Sequence, residues 1–160
     1  MNYIKQLDSC KCCPRKCMVN RNRHELGYCK MDNNICISKH MLHMWEEPCI
    51  SGKCGSGAVF FTSCQLSCKF CQNYKISQER IGKFITINEL VDIFLKLQEM
   101  GANNINLVSP TIYVYQIKEA IIRAKRKGLN IPIVYNTSRI WKFRSNKRFR
   151  WNSWYLFAWF

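Results

Sequence analysis

The pattern of apolar and polar positions predicts alternating strands and helices after the first 57 residues. Residues Ala58–Ser63 form a short apolar run, which is typical of a strand buried in a parallel sheet. Thr86 and Glu89 form a capping-box signature, and apolar residues then recur at helical spacing until Gly101, so a helix is predicted there. The elements predicted next are a strand at 104–109, a helix at 113–127 and a strand at 131–135.

This order predicts an α/β fold, in which helices cover a sheet of parallel strands. Ligands bind such sheets at the carboxyl ends of the strands. Each predicted strand is followed by residues that carry chemistry: a cysteine loop after Ser63, then Ser109-Pro110-Thr111, then Asn136-Thr137-Ser138. We therefore divide the chain into a cysteine-rich segment (1–57), a sheet-and-helix region (58–138) and a tail (139–160).

The head of the cysteine-rich segment, residues 8–29, has no regular hydrophobic pattern. Pro14 and Gly27 interrupt regular structure there, and Cys12 is an additional thiol. Zinc or a second iron–sulfur cluster would hold such a segment together, and four thiolates suit both. A reduced, metal-free loop is the alternative. The four candidate ligands are Cys10, Cys13, Cys17 and Cys29.

The rest of this segment, residues 30–57, contains the adjacent carboxylates Glu46 and Glu47 among several glycines. These carboxylates suit a cofactor amino group or a substrate, but a solvated loop explains them equally well. Cys49 and Cys54 have no partner spacing, and we expect them to be plain buried thiols. The role of Cys36 stays open.

Eleven cysteines in 160 residues are far above ordinary usage. An odd number of cysteines without a visible signal peptide indicates the reducing cytoplasm and metal binding, not disulfides. The longest apolar runs are well short of the roughly 20 residues that span a membrane. The net charge of +15 is compatible with nucleic acid, but the basic residues are not organised on a helix face, which argues against it.

The loop after the first predicted strand carries Cys64, Cys68 and Cys71 with the spacing Cys-x3-Cys-x2-Cys. Three thiolates on one loop suit three irons of a [4Fe–4S] cluster and leave the fourth iron open for a small chelating cofactor. Zinc sites favour paired Cys-x2-Cys hooks instead. The spacing therefore favours a cluster with chemistry of its own.

Four stretches between residues 10 and 138 carry a family resemblance: CKCCPRKCMVNR, HMWEEPCISG, GSGAVFFTSCQLSCKFCQNYKIS and NINLVSPT. In these stretches the chain resembles the radical S-adenosylmethionine (radical SAM) proteins related to pyruvate formate-lyase-activating enzyme. The resemblance implies a partial TIM-type barrel preceded by the cysteine-rich segment. It also implies that Cys64, Cys68 and Cys71 bind a [4Fe–4S] cluster.

In such proteins S-adenosylmethionine binds the open iron, and one electron splits it to give a 5′-deoxyadenosyl radical that abstracts hydrogen. In activating enzymes the substrate is a glycine of a partner protein. The implied electron donor is of the flavodoxin or ferredoxin type. We expect cofactor contacts from the aromatic residue of the loop and from polar residues at the strand ends: Phe70, Ser109, Thr111, Asn136 and Thr137.

Two features depart from the family pattern. The glycine-rich GGE segment, which usually meets the amino group of the cofactor after the second strand, is replaced by SPTIY. Ile112 stands where this branch usually has a histidine after threonine. No polar role is therefore assigned to that position.

The tail, residues 139–160, differs in composition from the rest of the chain. Nine of its 22 residues are aromatic, and it has no helical or strand period. A shift of one base allows a well-patterned turn, helix and strand in its place. We therefore interpret the tail as a frameshift product after Ser138, and we expect this chain to be a truncated fragment with little or no activity.

Two rival functions stay open at this point. A non-catalytic zinc or iron–sulfur module would use the same cysteines without cleaving S-adenosylmethionine. An RNA-binding protein would use the basic, aromatic tail, and deletion of residues 139–160 would abolish its binding.

Overall fold

A computed structural model describes residues 4–138 and the backbone of residues 154–159. The strands are β1 (Ile35–His43), β2 (Ser56–Phe61), β3 (Lys83–Ile85), β4 (Ile105–Val108), β5 (Ile133–Ser138) and β6 (Trp154–Trp159). The α-helices are α1 (Pro48–Ser51), α2 (Tyr74–Ser77), α3 (Ile87–Glu99) and α4 (Val114–Arg126). Short 3-10 helices lie at Ile4–Leu7, Arg21–Arg23 and Pro110–Tyr113.

The described strands form one sheet in the order β3-β1-β2-β4-β5-β6. Strands β2, β4, β5 and β6 are parallel neighbours, whereas β1 pairs antiparallel with both β2 and β3. This arrangement confirms the predicted α/β class. It places the carboxyl ends of β2, β4 and β5 along one edge of the sheet, where the cysteine loop begins.

The two long helices and the parallel strands β2, β4 and β5 lie close to the predicted positions. At the start of α3, Glu89 N donates to Thr86 Oγ1 at 3.1 Å, and Thr86 N donates to Glu89 Oε2 at 2.7 Å. The predicted capping box is therefore confirmed. Two otherwise unpaired N–H groups are satisfied by it, which fixes where α3 begins.

Three strands were not predicted from the sequence. In β1 the first three residues are buried and the following six are half-buried or exposed, so the strand does not alternate. Strand β3 has only three residues, too few to show a period. Strand β6 lies in the tail, which we expected to be irregular, and it pairs with β5 from Ile133 to Ser138. The rest of the tail, residues 139–153 and 160, and its interpretation as a frameshift product lie outside the described residues.

Alternation along the parallel strands decides which side chains form the main core. Val59, Phe61, Ile105 and Leu107 are buried beneath α3 and α4, whereas Ala58 and Asn106 point to the other face. Strand β2 can approach β4 closely because Gly57 has no side chain. A Cβ at that position would lie 2.9 Å from the carbonyl oxygen of Asn104.

Candidate cluster site and cysteine pocket

The predicted cluster loop leaves the carboxyl end of β2 through two residues with left-handed backbone. Ser63 has φ of 70° and Ser67 has φ of 53°, which turns the chain sharply on both sides of Cys64. Ser63 N donates to the carbonyl of Ile76 at 3.0 Å, and Gln78 Nε2 donates to the carbonyl of Cys68 at 2.7 Å. The loop is therefore tied back onto α2 and the residue that follows it.

The three loop thiols differ in exposure and in their partners. Leu66 N donates to Cys64 Sγ at 3.4 Å, Ser77 Oγ donates to Cys71 Sγ at 3.2 Å, and Cys68 is exposed. Burial raises the pKa of the Cys64 thiol, and the neighbouring Cys68 and Cys71 add to that effect. Three neighbouring thiols with one side open to solvent are a donor set that fits an iron–sulfur cluster with an accessible iron.

The thiols are neighbours, but they are not yet arranged as ligands. Within residues 4–138, no three histidine, cysteine, aspartate or glutamate side chains surround a common point as metal ligands would. Ligation by Cys64, Cys68 and Cys71 therefore stays a prediction that the donor chemistry supports.

The polar residues predicted at the other strand ends are brought together. Thr111 and Thr137 share a hydrogen bond of 2.9 Å between their hydroxyls, and Ser109 N donates to the carbonyl of Asn136 at 3.0 Å. Thr111 is fully buried, and its bond to Thr137 joins the ends of the two strands. Phe70, in contrast, is 99% exposed on the cluster loop. Their contacts with a cofactor stay predictions.

Glu46 lies near the amino-terminal end of β4, against the face of the sheet opposite to α3 and α4. Asn106 Nδ2 donates to Glu46 Oε1 at 3.1 Å, and Asn106 pairs with Ala58 of β2. Ala58 precedes the end of β2 by three residues, which is about 10 Å at roughly 3.3 Å per residue. Burial raises the pKa of Glu46. The contact of Glu46 with a cofactor or substrate stays a prediction.

The four predicted head ligands line one small pocket together with Cys12 and two arginines, Arg15 and Arg21. We call this pocket, with its five cysteines and two arginines, the cysteine pocket. The Cys12 thiol hydrogen-bonds to Cys10, which lowers the pKa of Cys10 and raises that of Cys12. Cys36 is buried elsewhere, in the main core. Our expectation for Cys49 and Cys54 was wrong, since both are exposed, in and just after the short helix α1.

Arg21 is the residue of this pocket that sequence reasoning missed. Its side chain is only 1% exposed, and it donates to the carbonyl oxygens of Asp32 and Ile112 at 2.6 Å each. Burial lowers the pKa of the guanidinium, but the adjacent Cys12, Cys29 and Cys10 sulfurs outweigh that effect and raise it. The sequence signal that could have pointed to Arg21 is a basic residue inside a cysteine-rich motif. Its burial is visible only in the fold.

The cysteine pocket is attached to the cluster loop by direct contacts. Arg15 Nε donates to the carbonyl of Gln65 at 3.1 Å, and Ser63 Oγ donates to the carbonyl of Cys29. Gln65 also lines the pocket. The head therefore supports one side of the loop that is predicted to hold the cluster.

The chain matches a family profile over the region that contains this loop. The profile of the Radical SAM superfamily matches residues 58–145, more than half of the chain. The chain belongs to the radical SAM superfamily. Members of this superfamily use a [4Fe–4S] cluster and S-adenosylmethionine, and the matched region begins in β2 and includes the three loop cysteines.

The radical SAM chain is also similar to an uncharacterized protein of Methanocaldococcus jannaschii. The two are 30% identical over 139 residues, which cover 81% of this chain and 38% of that protein. The chain thus spans about two fifths of the length of the curated relative it matches. No solved structure matches the chain significantly. Each helix among the described residues is too short or too polar to cross a bilayer.

Proposed function

We propose that the protein is a radical SAM iron–sulfur enzyme of the activating-enzyme type. The observation that carries the proposal is the loop with Cys64, Cys68 and Cys71 at the carboxyl end of β2, in a member of this superfamily. A bound [4Fe–4S] cluster with S-adenosylmethionine supplies one-electron cleavage of the sulfonium and a 5′-deoxyadenosyl radical for hydrogen abstraction.

The residues of the chain have supporting roles in this proposal. The N–H of Leu66 and the hydroxyl of Ser77 donate to the sulfurs of Cys64 and Cys71, and donors of this kind favour the thiolate that binds iron. The hydrogen bond between Thr111 and Thr137 holds the ends of β4 and β5 together. It keeps the strand ends in place where a cofactor would lie beside the cluster.

We further propose a protein substrate and an acidic electron donor. The resemblance of the four motifs to activating enzymes supports a glycine of a partner protein as the site of hydrogen abstraction. The net charge of +15 supports an acidic electron donor, as a flavodoxin or ferredoxin would be, because opposite charges steer association. The cysteine-rich chain requires a reducing compartment, and we propose the cytoplasm.

The proposal is tested by anaerobic reconstitution of the full chain with iron and sulfide, followed by dithionite and S-adenosylmethionine. We expect a cluster whose EPR spectrum changes when S-adenosylmethionine is added. 5′-Deoxyadenosine as a product would show that even this short chain is active. The matched control is a variant with Cys64, Cys68 and Cys71 all replaced by alanine. It retains the other eight cysteines and should give neither signal.

The outcomes separate the remaining functions. A cluster without 5′-deoxyadenosine would contradict enzymatic activity of this chain and agree with our expectation of an inactive fragment. Failure to form a cluster, with zinc bound instead, would favour the non-catalytic metal-binding module.

A further inference from the structure

We propose that the cysteine pocket binds a single metal ion of the zinc type through Cys10, Cys13, Cys17 and Cys29, and that Arg21 balances the charge of this centre. The site is separate from the predicted radical SAM cluster. Its thiols come from the head, residues 8–29, which the superfamily profile does not cover. Three features of the pocket support this assignment: the buried charge of Arg21, the positions of the thiols and the size of the pocket.

The first feature is the buried charge of Arg21. Its guanidinium is buried, yet none of the carboxylates in residues 4–138 forms an ion pair with it. Its Nη2 atom has no hydrogen-bond partner among the described residues, and Arg21 lines the pocket. A buried guanidinium without a carboxylate partner is costly unless anionic sulfur lies beside it. Four thiolates around a divalent ion carry two net negative charges, and they would compensate the guanidinium.

The backbone brings the four thiols together from two parts of the head. Cys10 and Cys13 form a Cys-x2-Cys hook, which is common in zinc sites. Cys10 N donates to the carbonyl of Val19 at 2.9 Å, and Met18 N donates to the carbonyl of Cys10 at 3.0 Å. These bonds fold the chain back and place Cys17 beside the hook.

The fourth thiol, Cys29, is brought in by the turn that contains Gly27. A Cβ on Gly27 would lie 3.1 Å from Cys17 Sγ, tighter than ordinary contact, and Tyr28 N donates to the same sulfur at 3.4 Å. The absence of a side chain at Gly27 therefore lets Cys17 pack against the turn that leads to Cys29. Cys12 is not assigned as a ligand, because Cys10, Cys13, Cys17 and Cys29 already complete a four-thiolate set with the Cys-x2-Cys hook. Its sulfur instead accepts a hydrogen bond from Arg21 Nη1 at 3.6 Å.

The size of the pocket favours one ion over a cluster. The enclosed space is about 10 Å³, which is room for about one water-sized sphere. A four-iron cluster is much larger than this space. No three ligand atoms among the described residues already surround one point, so binding of an ion requires the thiols to rearrange.

The test uses the full chain that lacks the loop thiols (Cys64, Cys68 and Cys71 replaced by alanine), so that failure of the proposed function does not affect it. Purified from medium with zinc and iron, this variant should contain one zinc per chain by elemental analysis. Adding Cys13→Ser or Cys29→Ser should remove that zinc. Adding Cys54→Ser, an exposed thiol outside the pocket, should leave it unchanged.

A second measurement guards against variants that fail to fold. Cobalt added to the metal-free protein without the loop thiols should give intense thiolate-to-cobalt charge-transfer absorption, and zinc should displace it stoichiometrically. Absence of both zinc and the cobalt spectrum would overturn the proposal. An iron–sulfur spectrum in this variant would overturn the single-ion assignment, and zinc that survives loss of both Cys13 and Cys29 would overturn the ligand set.

Discussion

The two cysteine-bearing regions of this chain differ in how the fold surrounds their thiols. The cysteine pocket is the more enclosed region: Cys10 and Cys12 are buried, its other three cysteines are half-buried, and Arg21 reaches the main core through the carbonyl of Ile112. The cluster loop is open, with Cys68 and Phe70 exposed. Structural metal sites are closed, whereas catalytic sites keep an open position. We propose that the same amino acid serves two purposes, which the surrounding side chains distinguish.

The largest effect is expected at the open site. Replacing Cys68 with alanine should abolish cluster formation, because a [4Fe–4S] cluster of this kind needs all three loop thiolates. Iron content and 5′-deoxyadenosine formation should fall to background, while the zinc of the cysteine pocket stays. Because Cys68 is exposed, the free energy of unfolding of the cluster-free protein should change by no more than about 0.5 kcal/mol. Retention of a complete cluster would show that the ligand set is different.

The closed site should respond in the opposite way, through stability. Arg21→Met removes the donors to the carbonyls of Asp32 and Ile112 and leaves these buried acceptors without a partner. We expect the free energy of unfolding, measured with urea, to fall by about 3 kcal/mol.

Arg123→Met is the matched control, because Arg123 is 41% exposed and pairs with Glu119 on the surface of α4. It should cost less than about 0.5 kcal/mol. If Arg21→Met were as mild as this control, the guanidinium would not hold the head to the core.

The contact between the two regions should have an intermediate effect. Arg15→Ala removes the hydrogen bond to the carbonyl of Gln65 and the stacking of the guanidinium 3.8 Å over the ring of Tyr28. We expect a loss of about 1 kcal/mol in stability and weaker retention of the cluster on dilution. Lys16→Ala, the exposed neighbour, is the control. Equal iron retention in both variants would mean that the head does not support the loop.

A smaller, pH-dependent effect is expected at Asp32, whose carbonyl accepts from Arg21. Burial alone would raise the pKa of its carboxyl, but hydrogen bonds from His24 and Asn34 outweigh this and lower it. A lowered pKa means stability that is present above the unfolded value of 3.8 and is lost as pH falls through the lower folded value. Asp32→Ala should therefore cost up to about 1 kcal/mol at pH 7. The difference should shrink below pH 4, as followed by urea unfolding at each pH.

The sequence predicts the regular half of the molecule better than the head. The capping box at Thr86 and the apolar run of β2 are local signals, and both elements lie close to where they were expected. Strand β1 carries no alternation, because its pairing with β2 and β3 decides its conformation.

Some features of the candidate sites can also be predicted from the sequence, and others cannot. Spacing alone identifies Cys64, Cys68 and Cys71 as a set, and it groups the head cysteines. The burial of Arg21 and its contact with Ile112, 91 positions away, depend on tertiary packing and leave no local pattern. The contact of Glu46 with Asn106 of β4 likewise depends on tertiary packing.

The smallest effect on the fold is expected at Phe70. A variant at this position distinguishes support of the loop from contact with the cofactor. The ring is 99% exposed, so Phe70→Ala should leave the free energy of unfolding within about 0.5 kcal/mol of the starting protein. If the ring covers the cluster or the adenine, the same variant should bind S-adenosylmethionine more weakly, measured as the concentration that half-saturates the EPR change. Tyr74→Ala, another exposed aromatic residue near the loop, is the control. Equal half-saturation in both variants would contradict a role for Phe70 in covering the cofactor, and the open side of the loop would then depend on the strand ends alone.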